Sequence, residues 1–362
     1  ELPGWKSADG TWQGRIVAGA KEYILHGDPQ TGKWLGTRTH YRPAIAGYRA
    51  LRLILGTEGQ FLEALPQATW AKWAACVCWW PMDGPYERDG EAESLLAMAS
   101  RWAPEEVLDA VDAVIVKANS EKKGALHGLE MLDSCWGAQG LEEALLAQVR
   151  DARLAPALMR DVLRVLLRGR SDAGVQWALE QLRPPLPSRG ERRETAVIAT
   201  TCLMTHVPAL AWDDLWTVFR RAPKFAQSVI RRAMRQHDFC STDFRRSLSD
   251  VQLAELHLWL VGVWPYEKDV FIPEAHAVTE REDVQQWRND CLAILRGRGT
   301  ATAVAELRRI AESLSQHEWL WWTVREAEET TRERTWSPPR PQDILQLAEA
   351  TERRLVQGGE QL

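Results

Sequence analysis

The residues closest to a known catalytic motif lie near the N-terminus. Gly27-Asp-Pro-Gln-Thr-Gly32-Lys33 has the G-x-x-x-x-G-K spacing of a phosphate-binding loop, and it follows the strand-like Tyr23-Ile-Leu25. Such a loop needs a hydroxyl directly after the Lys to hold Mg²⁺ and a helix whose N-terminal amides receive the phosphates. Position 34 is Trp, and Gly36 and Pro43 argue against a helix directly after the Lys. The Walker A motif is therefore incomplete, and we interpret the stretch as a hairpin turn.

The other residue types that do chemistry show no motif spacing. The eight histidines and six cysteines contain no His-x-x-x-His or Cys-x-x-Cys pair, and no Gly-x-Ser-x-Gly elbow marks a serine nucleophile. His257 lies in an apolar helix, which favours a hydrogen-bonded core histidine, while Cys202 and Cys291 lie in apolar helical patterns typical of buried free thiols. We therefore expect no catalytic residue, no metal and no cofactor, and a cytoplasmic location. A hydrolase with dispersed carboxylates is the remaining enzymatic alternative.

Only one stretch, residues 212–246, is strongly basic. On a helix starting at Pro223, the side chains of Lys224, Arg231 and Arg235 share one face, and Arg220 precedes it. A basic stripe can follow the phosphates of a nucleic acid, but it can equally be a solvated face paired with acids from neighbouring helices. The basic residues of the stretch are Arg220, Arg221, Lys224, Arg231, Arg232, Arg235, Arg245 and Arg246.

Tryptophan is unusually frequent, at 19 of 362 residues. Trp319 and Trp322 fall on one face of a helix, which favours core packing, and Trp321 points away from them. Because large aromatic side chains also anchor protein interfaces, the candidate partner-binding residues are these three together with Trp79 and Trp80.

The elements that would position these residues are helices, and the best-defined pair spans residues 279–314. Thr279 and Glu282 form a capping box, the glycines of Arg-Gly-Arg-Gly-Thr at 296–300 end the first helix, and Thr300 or Thr302 can cap the second. Each helix has one apolar face. One such αα-hairpin cannot bury both faces alone, so neighbouring hairpins are required.

Similar amphipathic segments recur as pairs roughly every 35–45 residues, a period typical of two-helix repeats. The fold prediction is an all-α, irregular α-solenoid of helical hairpins, HEAT- or TPR-like, with a small β-hairpin or loop region at the glycine-rich N-terminus. The predicted segments are a β-hairpin or loop at 1–40, a helical repeat region at 41–275, and C-terminal helical hairpins at 276–362.

Charge and hydropathy exclude some functions. A net charge of −5 and a pI near 6.0 give no global attraction to nucleic acid or to an anionic membrane. There is no apolar run of about 18 residues or more, so we expect no transmembrane helix and no membrane partner. The chain begins at Glu1 without a secretory opening, which suggests a piece of a longer protein.

Several short segments of the C-terminal third resemble a known family. They are His276-Ala-Val-Thr279, Val284-Gln-Gln-Trp-Arg288, Leu295-Arg-Gly-Arg-Gly-Thr300 with Ala303-Val-Ala-Glu-Leu-Arg-Arg-Ile310, Trp336-Ser-Pro-Pro-Arg-Pro and Glu352-Arg-Arg-Leu-Val-Gln. They look like the C-terminal helical region of large bacterial NACHT-type NTPases of the STAND class, which are implicated in antiphage defence. The likeness runs from about Leu256 to Leu362, and a shorter one covers Tyr41 to Leu51.

The resemblance implies a function for the chain. It would be the non-enzymatic sensing region of an antiviral defence protein, whose partners are a foreign or phage protein and the NTPase and effector modules of the parent. No nucleotide-binding residue can be carried over, because the Walker A motif is incomplete. The alternative is a nucleic-acid-binding helical module that uses Arg220, Lys224, Arg231 and Arg235.

Overall fold

The computed structural model describes residues 5, 7–37, 39, 41–83, 90–235, 244–269, 279–337, 342–346 and 349–350. Within these ranges the chain is all-α and contains no strand, and inside each of its two compact units neighbouring helices pack together. Within each unit, the prediction of an all-α, solenoid-like array of helical hairpins is therefore confirmed. Residues 270–278, 338–341 and 351–362 lie outside the described residues. The family resemblance rests in part on them, since they include parts of the segments at 276–279 and 336–341 and the whole segment at 352–357.

The contacts divide the chain into two compact units, unit 1 at Glu1–Gln236 and unit 2 at His237–Leu362. The three segments 1–40, 41–275 and 276–362 remain a prediction about domain organisation. In unit 1, α1 packs on α2, α3 on α4 and α5, and α9 on α7 and α11. Its helices are α1 (Gly10–His26), α2 (Arg42–Glu63), α3 (Gln67–Asp83), α4 (Gly90–Trp102), α5 (Pro104–Ser120), α6 (Leu141–Arg150), α7 (Pro156–Arg168), α8 (Asp172–Glu180), α9 (Gly190–His206), α10 (Pro208–Arg221) and α11 (Pro223–Arg235).

Unit 2 contains the hairpin that the capping signals predict. The capping box of Thr279 and Glu282 is present, Gly299 ends the first helix in the left-handed conformation at φ 57°, and the Thr300 side chain accepts from the Ala303 amide. The prediction of these caps is confirmed. The helices of unit 2 whose bounds fall within the described residues are α12 (Asp250–Val263), α13 (Glu280–Arg298), α14 (Ala301–Ser313) and α15 (Leu320–Thr335).

The prediction of a β-hairpin at the N-terminus is wrong. The Asp9 side chain caps α1 by accepting from the Trp12 amide, and the helix continues to His26 through several glycines. Tertiary contacts hold it, because the Tyr23 hydroxyl donates to the Pro43 carbonyl oxygen at 3.0 Å and Ile24 is fully buried. Packing of this kind overrides the low helix propensity of glycine.

The candidate phosphate-binding stretch lies directly after α1 and joins two helices. Residues Thr31–Lys33 form a short 3-10 turn rather than the end of a strand–loop–helix unit. Trp34 then inserts into the core, where its ring stacks on Trp80 with centroids 5.6 Å apart. The indole N–H of Trp34 donates to the Pro29 carbonyl oxygen at 2.7 Å, which closes the turn. The stretch is therefore a core-anchored turn between helices.

A close approach of α2 to α3 supports a stability prediction. A Cβ atom on Gly47 would lie 1.8 Å from the Trp73 ring, and that ring is fixed because its N–H donates to the Ile24 carbonyl oxygen at 2.9 Å. We expect Gly47→Ala to lower the free energy of unfolding by about 1–3 kcal/mol through overpacking. Gly14→Ala, in the exposed interior of α1 with open space around it, should instead raise it by about 0.5–1 kcal/mol. Urea unfolding of both variants followed by circular dichroism checks this, and equal effects would contradict it.

Candidate functional site

Three tryptophans at the start of α15 form the largest exposed aromatic feature of unit 2 among the described residues. Trp319, Trp321 and Trp322 are 44%, 40% and 67% exposed, and we call them the tryptophan surface. The side chains that α15 buries are Leu320, Val324 and Ala327, at i, i+4 and i+7. Because this stripe occupies the inward face, the predicted core packing of Trp319 and Trp322 is wrong.

Two of these rings are held by neighbouring side chains. The Trp319 ring meets Tyr266 edge to face, with centroids 5.5 Å apart and an interplanar angle of 85°. The Arg325 guanidinium lies 5.3 Å from the centroid of the Trp322 ring. Such contacts reduce the side-chain entropy that a partner would have to remove on binding.

Trp79 and Trp80 are placed differently from the prediction. Both lie on α3 and are buried, at 3% and 0% exposure. The Trp79 ring packs edge-on against Trp34, and the Lys117 ammonium lies 4.1 Å from its centroid. These contacts place both side chains in the core of unit 1. They are therefore not surface anchors for a partner.

The basic residues of the stretch at 220–246 do not all line one site. Arg220 and Lys224 are exposed near the junction of α10 and α11, whereas Arg231 and Arg235 lie about two and three turns further along α11 and line a cavity. Arg245 belongs to unit 2, where it pairs with Asp290 at 2.8 Å. Residues 236–243 lie outside the described part of the chain. The structure thus brings together Arg231 and Arg235 of the four predicted residues.

Arg231 and Arg235 line a concave cavity that is built largely from charged groups. It has a volume of about 580 Å³ and is formed by side chains of α7, α9 and α11. Three further arginines line it, namely Arg160, Arg193 and Arg232. Glu194 is the acidic residue among the described lining residues, so five arginines and one glutamate give these residues a formal charge of +4. We call it the arginine cavity.

Polar and aromatic contacts fix three of its arginines. The Arg160 Nε donates to Asp161 Oδ1 at 2.9 Å, and Arg193 Nη2 donates to Ser228 Oγ at 2.8 Å. Arg232 Nη1 lies 3.6 Å from Glu194 Oε1. The guanidiniums are thus held in place before any ligand arrives. Sequence reasoning missed Arg160 and Arg193, because they come from helices far from the basic stretch and have no local charge signal.

A buried polar network lies inside unit 2 around His257. Its Nδ1 lies 3.2 Å from the Arg288 carbonyl oxygen, and its Nε2 lies 3.0 Å from the Tyr266 hydroxyl. Because a carbonyl can only accept, Nδ1 carries the proton and Nε2 accepts from the tyrosine. Burial, together with the nearby Arg288 charge, lowers the pKa of His257 to about 4, although the hydrogen bond to the Arg288 backbone opposes this. His257 is a core histidine, as predicted.

The described cysteines do not have the environment of reactive thiols. The described cysteines are all free and buried: Cys76, Cys78, Cys135, Cys202 and Cys291. This confirms the prediction of buried free thiols for Cys202 and Cys291. Burial raises the pKa of Cys202 to about 12, so its thiolate is scarce near neutral pH. Within the described ranges, no group of three or more His, Cys, Asp or Glu side chains could hold a metal ion.

Comparisons of the chain with protein-family models, with curated proteins and with solved structures found no match. None of the helices in the described ranges combines the length and the hydropathy needed to cross a membrane.

Proposed function

We propose that this chain is a non-enzymatic helical region that recognises a protein partner, and that the tryptophan surface provides the main contact. The observation that carries the proposal is the exposure of three tryptophans within four residues, Trp319, Trp321 and Trp322, at the start of a packed helix. Clustered exposed aromatics are unusual on a surface without a partner, and tryptophan is among the residues that contribute most to protein interfaces.

The scaffold around the tryptophan surface suits this role. Leu320 and Val324 fix α15 against its neighbours, so the three rings project from a rigid support. The partner that fits such rings is a protein with an apolar pocket or groove, since an indole ring buries a large apolar area and offers one N–H donor. Stacked helical hairpins also provide extended surfaces around such an anchor.

The identity of the partner follows from the family resemblance at residues 256–362. On that basis we propose a foreign, phage-encoded protein as the ligand, and an NTPase and effector in a longer parent protein as the modules that respond. The chain would then act as the sensor of an antiviral defence protein. Its own residues would supply recognition, and the parent would supply nucleotide hydrolysis.

The test compares retention of phage proteins by the wild-type chain and by a Trp322→Ala variant. Both are immobilised, extracts of phage-infected bacteria are passed over them, and each retained protein is purified for measurement of its Kd. We expect a phage protein whose Kd rises about 30-fold or more with Trp322→Ala, because truncating a central anchor costs about 2 kcal/mol or more.

The matched control is Trp12→Ala, which removes an exposed tryptophan of unit 1 that is 56% exposed. It should leave the Kd within about twofold, in keeping with the small effect of most surface residues outside an interface. Equal loss of binding in both variants, or retention of nucleic acid without any phage protein, would contradict the proposal.

A further inference from the structure

We propose that the arginine cavity binds a small ligand that carries two or more linked phosphate groups. This site lies in unit 1 and is independent of the tryptophan surface of unit 2. The part of its lining that the structure describes carries five arginines and one glutamate. Guanidinium groups present paired N–H donors that match phosphate oxygens, so a concentration of arginines in a concave site favours phosphates over other anions.

The arrangement of the arginines indicates a built site. Asp161, which holds Arg160, is fully buried and also accepts from the Leu126 amide at 2.6 Å. Arg193 is held from two sides, since its guanidinium donates to Ser228 and lies 5.6 Å from the Phe225 ring centroid. These contacts keep positive charges close together despite their mutual repulsion. A polyanion in the cavity would relieve that repulsion without having to order the side chains.

Two further arginines of the cavity lie on its solvent-exposed side. Arg231 and Arg235 are exposed and one helical turn apart on α11, where their guanidiniums can close over a bound anion. Fixed arginines at the base and exposed ones at the rim suit a ligand with several phosphates rather than a single orthophosphate.

The N-terminus of α9 adds a smaller contribution. Gly190, its first residue, lines the cavity, and no side chain caps this end of the helix. The free backbone amides of a helix N-terminus carry partial positive charge and favour a nearby anion. The partial charge of this helix end thus has the same sign as the charge of the arginines, and it strengthens the positive electrostatic field inside the cavity.

Size and lining favour a small ligand over a nucleic-acid strand. A volume of about 580 Å³ is that of a pocket for a single small molecule. Among the described residues, no aromatic ring lines the cavity, so these residues offer no platform on which the bases of a single strand would stack. Arg220 and Lys224, which a strand following α11 would need, are not part of the lining. Tripolyphosphate and a nucleoside triphosphate share the required chemistry.

The experiment is isothermal titration of the full chain at about 50 mM salt with four probes: sodium tripolyphosphate, ATP, orthophosphate and a twelve-nucleotide single-stranded DNA. We expect tripolyphosphate to bind at least tenfold more tightly than orthophosphate. If ATP binds as tightly as tripolyphosphate, the site recognises the phosphate chain alone. If ATP binds more tightly than tripolyphosphate, the site also recognises the nucleoside. Both results support the proposal.

Two double variants with the same loss of charge test the location. Arg231→Gln with Arg235→Gln should raise the Kd for tripolyphosphate at least tenfold, whereas Arg220→Gln with Lys224→Gln should leave it within twofold. All four side chains are exposed, so we expect both variants to fold, and circular dichroism checks this. A third variant, Arg193→Gln, probes the base of the cavity and should also weaken binding.

Three outcomes would overturn the proposal. The first is no heat of binding with tripolyphosphate or ATP at millimolar concentration. The second is equal weakening in the two double variants, which would show diffuse attraction to surface charge. The third is DNA binding tighter than tripolyphosphate and dependent on Arg220 and Lys224, which would assign the basic residues to a nucleic-acid path.

Discussion

Arg288→Ala is expected to lower the free energy of unfolding of unit 2 by about 3–5 kcal/mol, the usual consequence of removing one member of a buried charge pair. Arg288 is fully buried on α13, and its Nη1 donates to the Trp264 carbonyl oxygen at 2.6 Å. Its Nη2 donates to the Asp269 carboxylate, and the guanidinium lies 4.2 Å from the centroid of the Tyr266 ring. The substitution leaves a carbonyl and a carboxylate without their main donor, and it opens a void.

The matched control lies on the same helix. Arg296 pairs with Glu326 at 2.7 Å, but both side chains are about half exposed, so Arg296→Ala should cost about 1 kcal/mol or less. Urea unfolding gives the total loss, and hydrogen exchange of α13 peptides assigns it to unit 2. A loss below about 1 kcal/mol in both variants would show that the buried pair does not stabilise unit 2.

The parts of the fold that the sequence predicts well are those in which local signals agree. At 279–314 the capping box, the left-handed glycine and the apolar stripes all indicate one hairpin, and the structure contains it. The core position of His257 follows in the same way from its apolar helical neighbours. In these places each element is determined within a few turns of the chain.

The N-terminus shows where local reasoning fails. Gly10, Gly14 and Gly19 are poor helix formers, and they suggest turns when α1 is considered alone. The helix forms because it is tied to distant parts of the chain. The Tyr23 hydroxyl donates to Pro43, which is 20 positions away in the sequence, and the Ile24 carbonyl oxygen accepts from Trp73, which is 49 positions away. No local pattern contains that information.

The positions of the tryptophans depend equally on distant partners. Trp79 and Trp80 are buried because Trp34 packs against both rings. Trp319 and Trp322 are exposed because α15 presents a different stripe to its neighbours. Helical periodicity groups residues on a face, but it does not decide which face turns inward when aromatic side chains occur on both sides.

The arginine cavity could be predicted only in part. The basic stretch pointed to α11, but the cavity needs Arg160 from α7 and Arg193 from α9, which are about 40–75 residues away from Arg235. Neither Arg160 nor Arg193 lies in a stretch as strongly basic as residues 212–246. A site assembled from three helices depends on the order in which the helices stack, and amphipathic patterns do not specify that order.

Acidification is expected to destabilise unit 2 through His257. The pKa of this group is 6.5 in its ordinary state and about 4 in the folded chain, chiefly because burial disfavours the charged imidazolium. Between these two values the unfolded chain binds a proton that the folded chain does not, so the free energy of unfolding falls as the pH falls. The full effect is about 3 kcal/mol, begins below about pH 6.5 and is complete below about pH 4.

A His257→Gln variant isolates this contribution, because the titrating carboxylates are common to both proteins. The wild type should lose about 2 kcal/mol more than the variant between pH 7 and pH 4.5, measured by urea unfolding at each pH. His26→Gln serves as the control, since His26 is largely exposed and only pairs with Glu22 at 3.4 Å, and it should follow the wild type within about 0.5 kcal/mol. An imidazole NMR titration of His257 with a midpoint near 6.5, or parallel pH profiles for the wild type and His257→Gln, would show that the ring is not held neutral by its buried contacts with Tyr266 and Arg288.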